Sequence, residues 1–354
     1  MTSMTTIRAD VVIGGVDTHR DTIHVAVVDG LGRQRSDVEL PTTRAGYAQA
    51  LRWLRGFGAL EVVGVEGTGS YGAGLARFLR AEGVSVVEVD RPDRRARRTT
   101  GKSDPLDAYA AAAAVLSGRA TSVPKSGDGP AEAVRALRIA RRGAVKARTQ
   151  AINALKGLIV TAPAALRETL TGLGDAALLN TCARLRPGTE LADPVTALKT
   201  ALRRLARRAG SLTEEIADAE RDLRQLLQQR TPRLLARTGI GTDVAATMLT
   251  TAGDNPDRMR SEASFARHCA AAPIPASSGR TQRHRLHRGG DRDANRALHV
   301  VALTRMRRCP KTRAYVARRT QEGLSKPEIM RCLKRYIARE IYYLLLAENP
   351  LDAT

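Results

Sequence analysis

The 354-residue sequence has few of the residues that staple secreted proteins or anchor proteins in membranes. Its four cysteines are scattered along the chain and form no Cys-x-x-Cys pair, which argues against a zinc module and a disulfide framework. No apolar run is long enough to cross a bilayer, and no signal peptide is visible. We therefore expect a protein of the reducing cytoplasm, with no membrane partner.

Aromatic residues are also scarce, at 3% of the chain, so the core must be built mainly from Leu, Val and Ala. This scarcity argues against base stacking as the main mode of nucleic-acid binding. Positive charge, in contrast, is abundant: the net charge is +22, and fifty of the 58 Lys and Arg residues are arginine. Because arginine pairs bidentately with phosphate, this surplus indicates a polyanionic partner and a nucleoid-associated protein.

The chain is longer than one ordinary core requires, so two or three domains are expected. Over residues 1–124, apolar strands and amphipathic helices follow one another. Strands are predicted at 11–16, 23–28, 35–40, 62–65 and 84–89, and helices at 44–55, 71–81 and from Asp104 to Leu116. A three-strand meander followed by alternating strands and helices indicates a mixed α/β layer fold.

Acidic residues stand at the ends of two of these strands. Asp17 and Glu66 each directly follow an apolar run. In open α/β sheets, ligands bind at this edge, so the pair forms a candidate site. His19 and Asp21 lie nearby in the sequence, and we interpret them as supporting or solvated groups rather than as metal ligands.

Asp104 and Asp107 lie three residues apart at the start of the third predicted helix. At this spacing both carboxylates project from one face of the helix, where they repel each other. One interpretation is helix capping, with Ser103 or Asp104 as the cap, Pro105 at the first helical position and Asp107 in the first turn. The other is a metal site, in which a divalent cation relieves the repulsion.

Three stretches of the first 120 residues carry a family resemblance: GVDTHRD, VEGTGSYG and KSDPLDAYAAA. In residue type, order and spacing they resemble the ribonuclease H-like (RuvC-like) domain of the DEDD transposases of bacterial insertion sequences, the one-ten family. The resemblance implies that four acids bind Mg²⁺ and act in catalysis: Asp17, Glu66, Asp104 and Asp107. Four carboxylates can hold two metal ions about 3.5–4 Å apart, which clamp the attacking and leaving oxygens of phosphoryl transfer. Lys102 and the basic run 91–98 are candidate phosphate contacts.

Residues 125–230 are predicted to be a long helical region. A linker rich in Gly, Ser and Pro at 124–130 precedes a basic helix over 131–160. From Leu198 to Leu226, apolar residues alternate at four- and three-residue spacing, which is typical of a coiled coil or a helical hairpin. The pattern fits an intramolecular hairpin and pairing between copies equally well, and the family resemblance favours a homo-oligomer, a dimer or tetramer.

Residues 231–354 are predicted to form a mainly helical third domain. The segment 234–245 looks like a helix-hairpin-helix, whose Gly-Ile-Gly turn leaves backbone N–H groups suited to a phosphate; a plain helix–turn–helix corner is the alternative. Further on, the order Ala-Pro, Ser-Gly, basic run, Gly and Asn-Arg resembles the C-terminal serine domain of the same transposases. That resemblance implies Ser278 as the nucleophile on DNA, with Ser277 as the close alternative.

Basic residues flank this serine and are candidate nucleic-acid contacts: Arg280, Arg283, Arg285 and Arg288. Family members often have Gly-Gly-Lys after the serine, whereas this chain has Gly-Arg-Thr, which leaves the roles of Arg280 and Asn295 open. A serine hydroxyl is a weak nucleophile that needs activation, and no nearby His-Asp pair is convincing, since His284 and His287 in the basic loop are better interpreted as phosphate contacts. We expect activation across domains, by metal held at the four acids.

We therefore predict a DNA transposase or recombinase, and the resemblance implies that it cuts and rejoins DNA through Mg²⁺-binding acids and a covalent phosphoserine. The resemblance implies double-stranded DNA, at the element ends and the target, as the substrate, and a structured bridge RNA as the guide. Two alternatives stay open. One is a metal-dependent endonuclease of the Holliday-junction type without a serine intermediate, and the other is a non-enzymatic nucleic-acid-binding protein.

Overall fold

The computed structural model describes residues 10–90, 101, 103–279 and 283–348. Three of the predicted phosphate contacts, namely Lys102, Arg280 and the basic run 91–98, lie outside the described residues.

The chain divides into two compact units. The first consists of Met1–Gly129 and Ala252–Ser261, and the second of Pro130–Thr251 and Glu262–Thr354. The division of the chain at residues 124 and 230 into three functional domains stays a prediction.

The first unit is built on a five-stranded sheet with the order β3-β2-β1-β4-β5. Its strands are β1 (Val11–Thr18), β2 (Thr22–Asp29), β3 (Gln34–Pro41), β4 (Ala59–Glu66) and β5 (Ser85–Val89). The first three strands form an antiparallel meander, while β4 pairs parallel to β1 and β5 pairs parallel to β4. This mixed sheet confirms the predicted α/β architecture and is consistent with a ribonuclease H-like fold.

Helices cover both faces of this sheet: α1 (Arg44–Arg55), α2 (Ala73–Ala81) and α3 (Asp104–Leu116). On one face, α1 and α2 bury aliphatic side chains of the strands, among them Val25 and Val65, against Leu54 and Leu79. On the other face, Ala112 of α3 packs with Ile13 and Val28. As the composition predicts, the core is mainly aliphatic.

Two glycines let α3 lie unusually close to the sheet. A Cβ atom on Gly15 of β1 would stand 2.1 Å from the carbonyl oxygen of Ala108, and one on Gly64 of β4 would stand 2.7 Å from Cγ2 of Val115. Because any side chain at Gly15 would collide with the helix backbone, the glycines fix the depth at which α3 packs. The first turn of α3 is thereby held at the C-terminal edge of β1 and β4.

The second unit contains two long helices, α4 (Pro130–Val160) and α7 (Pro194–Arg230), with α5 (Ala164–Leu170) and α6 (Asp175–Ala183) between them. The long helices pack along each other within one chain. They share buried side chains such as Leu155 and Leu202, together with Ala151 and Ala209. The intramolecular pairing that the heptad spacing allows is therefore present, while a coiled coil and an oligomer stay predictions.

The rest of the second unit is mainly helical: α8 (Pro232–Leu235), α9 (Thr242–Ala252), α10 (Glu262–His268), α11 (Arg292–Arg308), α12 (Pro310–Gln321) and α13 (Lys326–Glu348). A short antiparallel ribbon pairs β6 (Ile274–Pro275) with β7 (His284–Arg285). Helix α13 packs against α10 and α11 through residues such as Ile341, Phe265 and Leu298, which are all fully buried. Across the described ranges, none of the helices combines the length and apolarity that a bilayer crossing needs.

Candidate metal centre and serine loop

The C-terminal ends of β1 and β4 lie side by side because these strands run parallel. Val16 of β1 stands opposite Val65 of β4, so the next residues, Asp17 and Glu66, occupy matching positions on neighbouring strands. The hydroxyl of Thr18 donates a hydrogen bond of 2.9 Å to the main-chain oxygen of Glu66 and ties the two strand ends together. The structure therefore places these two acids at one edge, as the strand pattern predicted.

The other two predicted acids lie in the first turn of α3. Ser103 occupies the N-cap position with an extended backbone, but its side chain makes no capping hydrogen bond within the described part of the chain. The main-chain N–H of Asp107 donates to the oxygen of Ser103 at 3.0 Å. Asp107 is buried, whereas the side chain of Asp104 is 40% exposed. The helix start thus presents one exposed and one buried carboxylate.

A histidine completes a three-residue cluster with two of these acids. Nε2 of His19 lies 3.3 Å from Oδ2 of Asp17 and 3.2 Å from Oδ1 of Asp104. All three potential ligand atoms lie within 4.8 Å of one another. Despite the short distances, Nε2 has no hydrogen bond of acceptable geometry among the described residues. The nitrogen and both carboxylate oxygens are therefore close enough to bind one ion.

The pKa of Asp17 reflects its burial and the negative charges of the neighbouring Asp104 and Asp107. Burial raises the pKa of Asp17; the neighbouring His19 lowers it, and the charges of Asp107 and Asp104 raise it again. A carboxylate that is buried and faces like charges is unfavourable in its ionised form. A bound divalent cation removes this penalty, so the donor set and its electrostatics fit a metal such as Mg²⁺, for which carboxylate oxygens are suitable ligands.

The sequence analysis treated His19 as a supporting or solvated group, and the structure brings its ring within reach of Asp17 and Asp104, so its role stays a prediction. The ring follows the strand-end Asp17 by two residues, and this Asp-x-His spacing was the available signal. Asp21, the other nearby acid, matches its interpretation, since its side chain is 87% exposed and lies 3.9 Å from Arg20. Glu66 and Asp107 stand beside the cluster but are not among the three described residues whose ligand atoms lie within 4.8 Å.

A second group of polar residues, which the sequence analysis did not identify, supports the same edge. His24 of β2 stands opposite Asp17 in the strand register, and its Nε2 lies 2.7 Å from Oδ2 of Asp37 on β3. The hydroxyl of Tyr109 on α3 donates to the other oxygen of Asp37 at 3.1 Å. Burial, together with Asp37, raises the pKa of Tyr109 to about 12, so this phenol stays protonated. Asp37 thereby links α3 to the meander.

In the second unit, the two candidate nucleophiles lie in an exposed loop after β6. The hydroxyl oxygen of Ser277 accepts a hydrogen bond of 3.3 Å from the main-chain N–H of Arg283. The N–H of Ala276 donates to the oxygen of Arg283 at 2.8 Å, which closes the base of the loop. Ser277 is therefore engaged within the loop, whereas the hydroxyl of Ser278 contacts no partner among the described residues. The choice between Ser277 and Ser278 as the reactive serine stays a prediction.

The basic residues after the loop are exposed, and the asparagine in α11 is not. Arg283, Arg285 and Arg288 all present accessible side chains. Nδ2 of Asn295 donates to the main-chain oxygen of Ala270 at 2.7 Å, and its Oδ1 accepts from Nζ of Lys334 at 2.9 Å. The Asn295 amide is thus used inside the protein, which argues against a direct contact with DNA.

Comparisons with known proteins match two separate parts of the chain. The DEDD_Tnp_IS110 family, described as "Transposase", matches residues 14–162, and the "Transposase IS116/IS110/IS902 family" matches residues 232–317. The first range contains all four predicted acids and the second contains both serines. The chain is also 31% identical over 144 residues to the "Insertion element IS110 uncharacterized 43.6 kDa protein" of Streptomyces coelicolor. That alignment covers 39% of this chain and 35% of the relative, so the chain matches about a third of the relative's length.

Proposed function

Because residues 14–162 and 232–317 match two families of insertion-sequence transposases, we propose that the protein cuts and rejoins DNA at a metal centre. One observation carries this proposal. Asp17 at a strand end and Asp104 at a helix start, which are distant in sequence, converge with His19 within reach of a single ion. If Asp104 served only to cap α3, its carboxylate would not need to lie beside the buried Asp17.

In this function, Asp17 and Asp104 hold a divalent cation, with Glu66 and Asp107 as further carboxylates at the same edge. Such a cation, when bound, supplies Lewis-acid charge that polarises a phosphate oxygen and activates a hydroxyl. Asp37 and Tyr109 keep α3 against the meander and so hold the helix-borne acids in position. His19 offsets the repulsion between Asp17 and Asp104, since its ring lies between their carboxylates.

The serine chemistry is assigned to Ser278. Its Oγ attacks the phosphorus of a DNA strand, the bond from phosphorus to the 3′ oxygen breaks, and the hydroxyl proton ends on the leaving oxygen. The product is a phosphoserine joined to the 5′ phosphate end of one fragment, while the other fragment ends in a 3′ hydroxyl, and the reverse reaction with another 3′ hydroxyl joins the strands. Exposed arginines near the loop would contact backbone phosphates: Arg283, Arg285 and Arg288.

The net charge of +22 is compatible with RNA as well as with double-stranded DNA as a partner, and it does not distinguish the two. We propose that a structured bridge RNA encoded by the element guides target choice, and that a homo-oligomer of this chain binds it. Purification of the protein from cells that transcribe the whole element, followed by sequencing of the bound RNA, tests this part. A discrete, element-derived RNA is expected, and only random fragments would contradict it.

The cleavage chemistry is tested on duplexes that contain the element's own ends, with and without Mg²⁺. We expect the wild type and Ser277→Ala to form a covalent protein–DNA adduct that resists denaturation. Both Ser278→Ala and Asp104→Asn should lose the adduct. Metal-dependent cleavage that persists in Ser278→Ala would instead identify an endonuclease without a serine intermediate, and salt-dependent binding without cleavage in any variant would identify a binding protein.

A further inference from the structure

The second unit contains a cavity of about 530 Å³ that is lined neither by the four acids nor by Ser277 or Ser278. Its walls are residues 270–273, the β7 ribbon strand, the α12–α13 connection and one face of α13. Its volume falls in the range of roughly 300–1,000 Å³ that is typical of small-ligand sites. Its charged lining is almost entirely basic: Arg283, Arg319, Glu328, Arg331, Lys334 and Arg335.

Lys334 is the unusual member of this lining because it is buried, with 6% of its surface exposed. Its ammonium donates to Oδ1 of Asn295 at 2.9 Å, a neutral acceptor, and it forms no ion pair with a carboxylate of the described residues. An ammonium has three donors, so this bond leaves two of them for a ligand. Burial lowers the pKa of Lys334, and the charge of Arg331 lowers it further. An uncompensated buried cation is costly, and an anion in the cavity would remove that cost.

The remaining cations of the cavity are only partly neutralised. Arg335 pairs with Glu262, and Arg319 pairs with Glu322. Glu328 reaches Arg331 only at 4.0 Å. Five lining cations therefore face three carboxylates, which leaves an excess of two positive charges around the cavity.

We propose that this cavity binds a phosphate group of a nucleic-acid strand, with Lys334 and Arg331 as its main cations. Arginine matches phosphate geometry with two parallel donors, and a buried lysine supplies a point charge, so together they favour a phosphate over a single carboxylate. Rings of His284, His287 and Tyr336 also line the cavity and offer surfaces for the attached sugar or base. The identity of the strand rests on the proposed function, but the anion site does not.

The cavity is also coupled to the serine loop. Arg283 lines the cavity, and its main chain holds the hydroxyl of Ser277 and the N–H of Ala276 at the base of the loop. A phosphate that binds beside Arg283 therefore stabilises the loop that carries Ser278. This coupling gives the cavity a positioning role in addition to its contribution to affinity.

The test is calorimetric titration of the full chain with inorganic phosphate at constant ionic strength, and then with a short single-stranded oligonucleotide that carries or lacks a terminal phosphate. Phosphate should bind the wild type, while Lys334→Met should bind it roughly tenfold more weakly, since a charge-assisted hydrogen bond is lost. Lys326→Met is the matched control, because it removes one positive charge from an exposed position of the same helix and should bind as the wild type does. Equal weakening by both variants would overturn the proposal, since it would show a general charge effect.

Two further outcomes separate the sources of the phosphate. Binding of both oligonucleotides with loss in Lys334→Met supports an internal phosphodiester of a strand. If inorganic phosphate or the terminally phosphorylated oligonucleotide binds but the oligonucleotide without a terminal phosphate does not, the assignment to an internal strand phosphate is overturned. Lys334→Met removes a buried charge and should fold, and Lys334→Arg, which keeps the charge, should restore part of the affinity. The readout needs no DNA cleavage, so a failure here is distinguishable from a failure of the proposed transposase chemistry.

Discussion

The candidate metal centre leads to a sharp prediction for Asp17→Asn: the variant should be more stable than the wild type without metal and should lose the metal binding that we propose. The interacting atoms of Asp17 and Asp104 lie within 4.8 Å of each other. At an effective dielectric constant near 20, two unit charges at this distance repel by about 3 kcal/mol. The side chain of Asp104 is 40% exposed, and His19 offsets part of the repulsion, so a net gain of about 1–2 kcal/mol is expected after solvent screening.

The assay uses the single tryptophan of the chain as a local reporter. Trp53 lies on α1 and packs against the core of the first unit, so its fluorescence follows the unfolding of that unit. A gain of about 1–2 kcal/mol corresponds to a rise in the melting temperature of roughly 3–8 °C for a unit of this size. Mg²⁺ at about one hundred times its Kd should stabilise the wild type by about 2.7 kcal/mol and should leave Asp17→Asn unchanged.

The matched control is Asp21→Asn. It also removes one acidic charge, four residues after Asp17 in the sequence, but the Asp21 side chain is 87% exposed. It should melt as the wild type does and should keep the response to Mg²⁺. The reasoning would be refuted if Asp17→Asn melted below the wild type in the absence of metal, or if Mg²⁺ stabilised both proteins equally. Either result would mean that Asp17 serves the fold rather than a cation.

Two further predictions concern stability: one tests helix packing in the first unit, and the other tests a helix cap in the second. Gly15→Ala should destabilise the first unit by at least about 3 kcal/mol, because the added Cβ would stand 2.1 Å from the oxygen of Ala108. Trp53 fluorescence during urea unfolding checks it, with Gly69→Ala, where a Cβ meets nothing within 4 Å, as the control. Asp291→Ala should cost the second unit about 1 kcal/mol, because Oδ1 of Asp291 caps α11. Burial alone would raise the pKa of Asp291, but hydrogen bonds from Ala294, Thr251 and Asp293 lower it below the ordinary value of 3.8. Its contribution is therefore present above that value and disappears as the pH falls through the folded-state pKa, so calorimetric melting of wild type and variant should converge in acid. A constant difference at every pH would contradict this assignment.

The sequence alone was sufficient to predict the strands and helices of the first unit, apart from their exact ends. Strands were predicted at 11–16 and 62–65, because continuous apolar runs with flanking turn residues are local signals, and the structure extends them to Val11–Thr18 and Ala59–Glu66. The same runs place Asp17 and Glu66 at the C-terminal ends of their strands, and the parallel pairing of β1 with β4, which the structure shows, brings both acids to one edge. The helix predicted from Tyr71 begins instead at Ala73, after turns at 67–72 that include Gly67 with a positive φ.

Tertiary structure decided what depends on contacts between distant residues. The position of His19 between Asp17 and Asp104 follows from how closely α3 approaches β1, and that distance is set by Gly15 and Gly64 rather than by any local pattern. In the second unit, Lys334 is an ordinary cation in the sequence of an amphipathic helix, and only the packing of α13 buries it beside Asn295. Periodicity and turn chemistry are properties of neighbouring residues, whereas desolvation and ligand geometry arise only when separate elements meet.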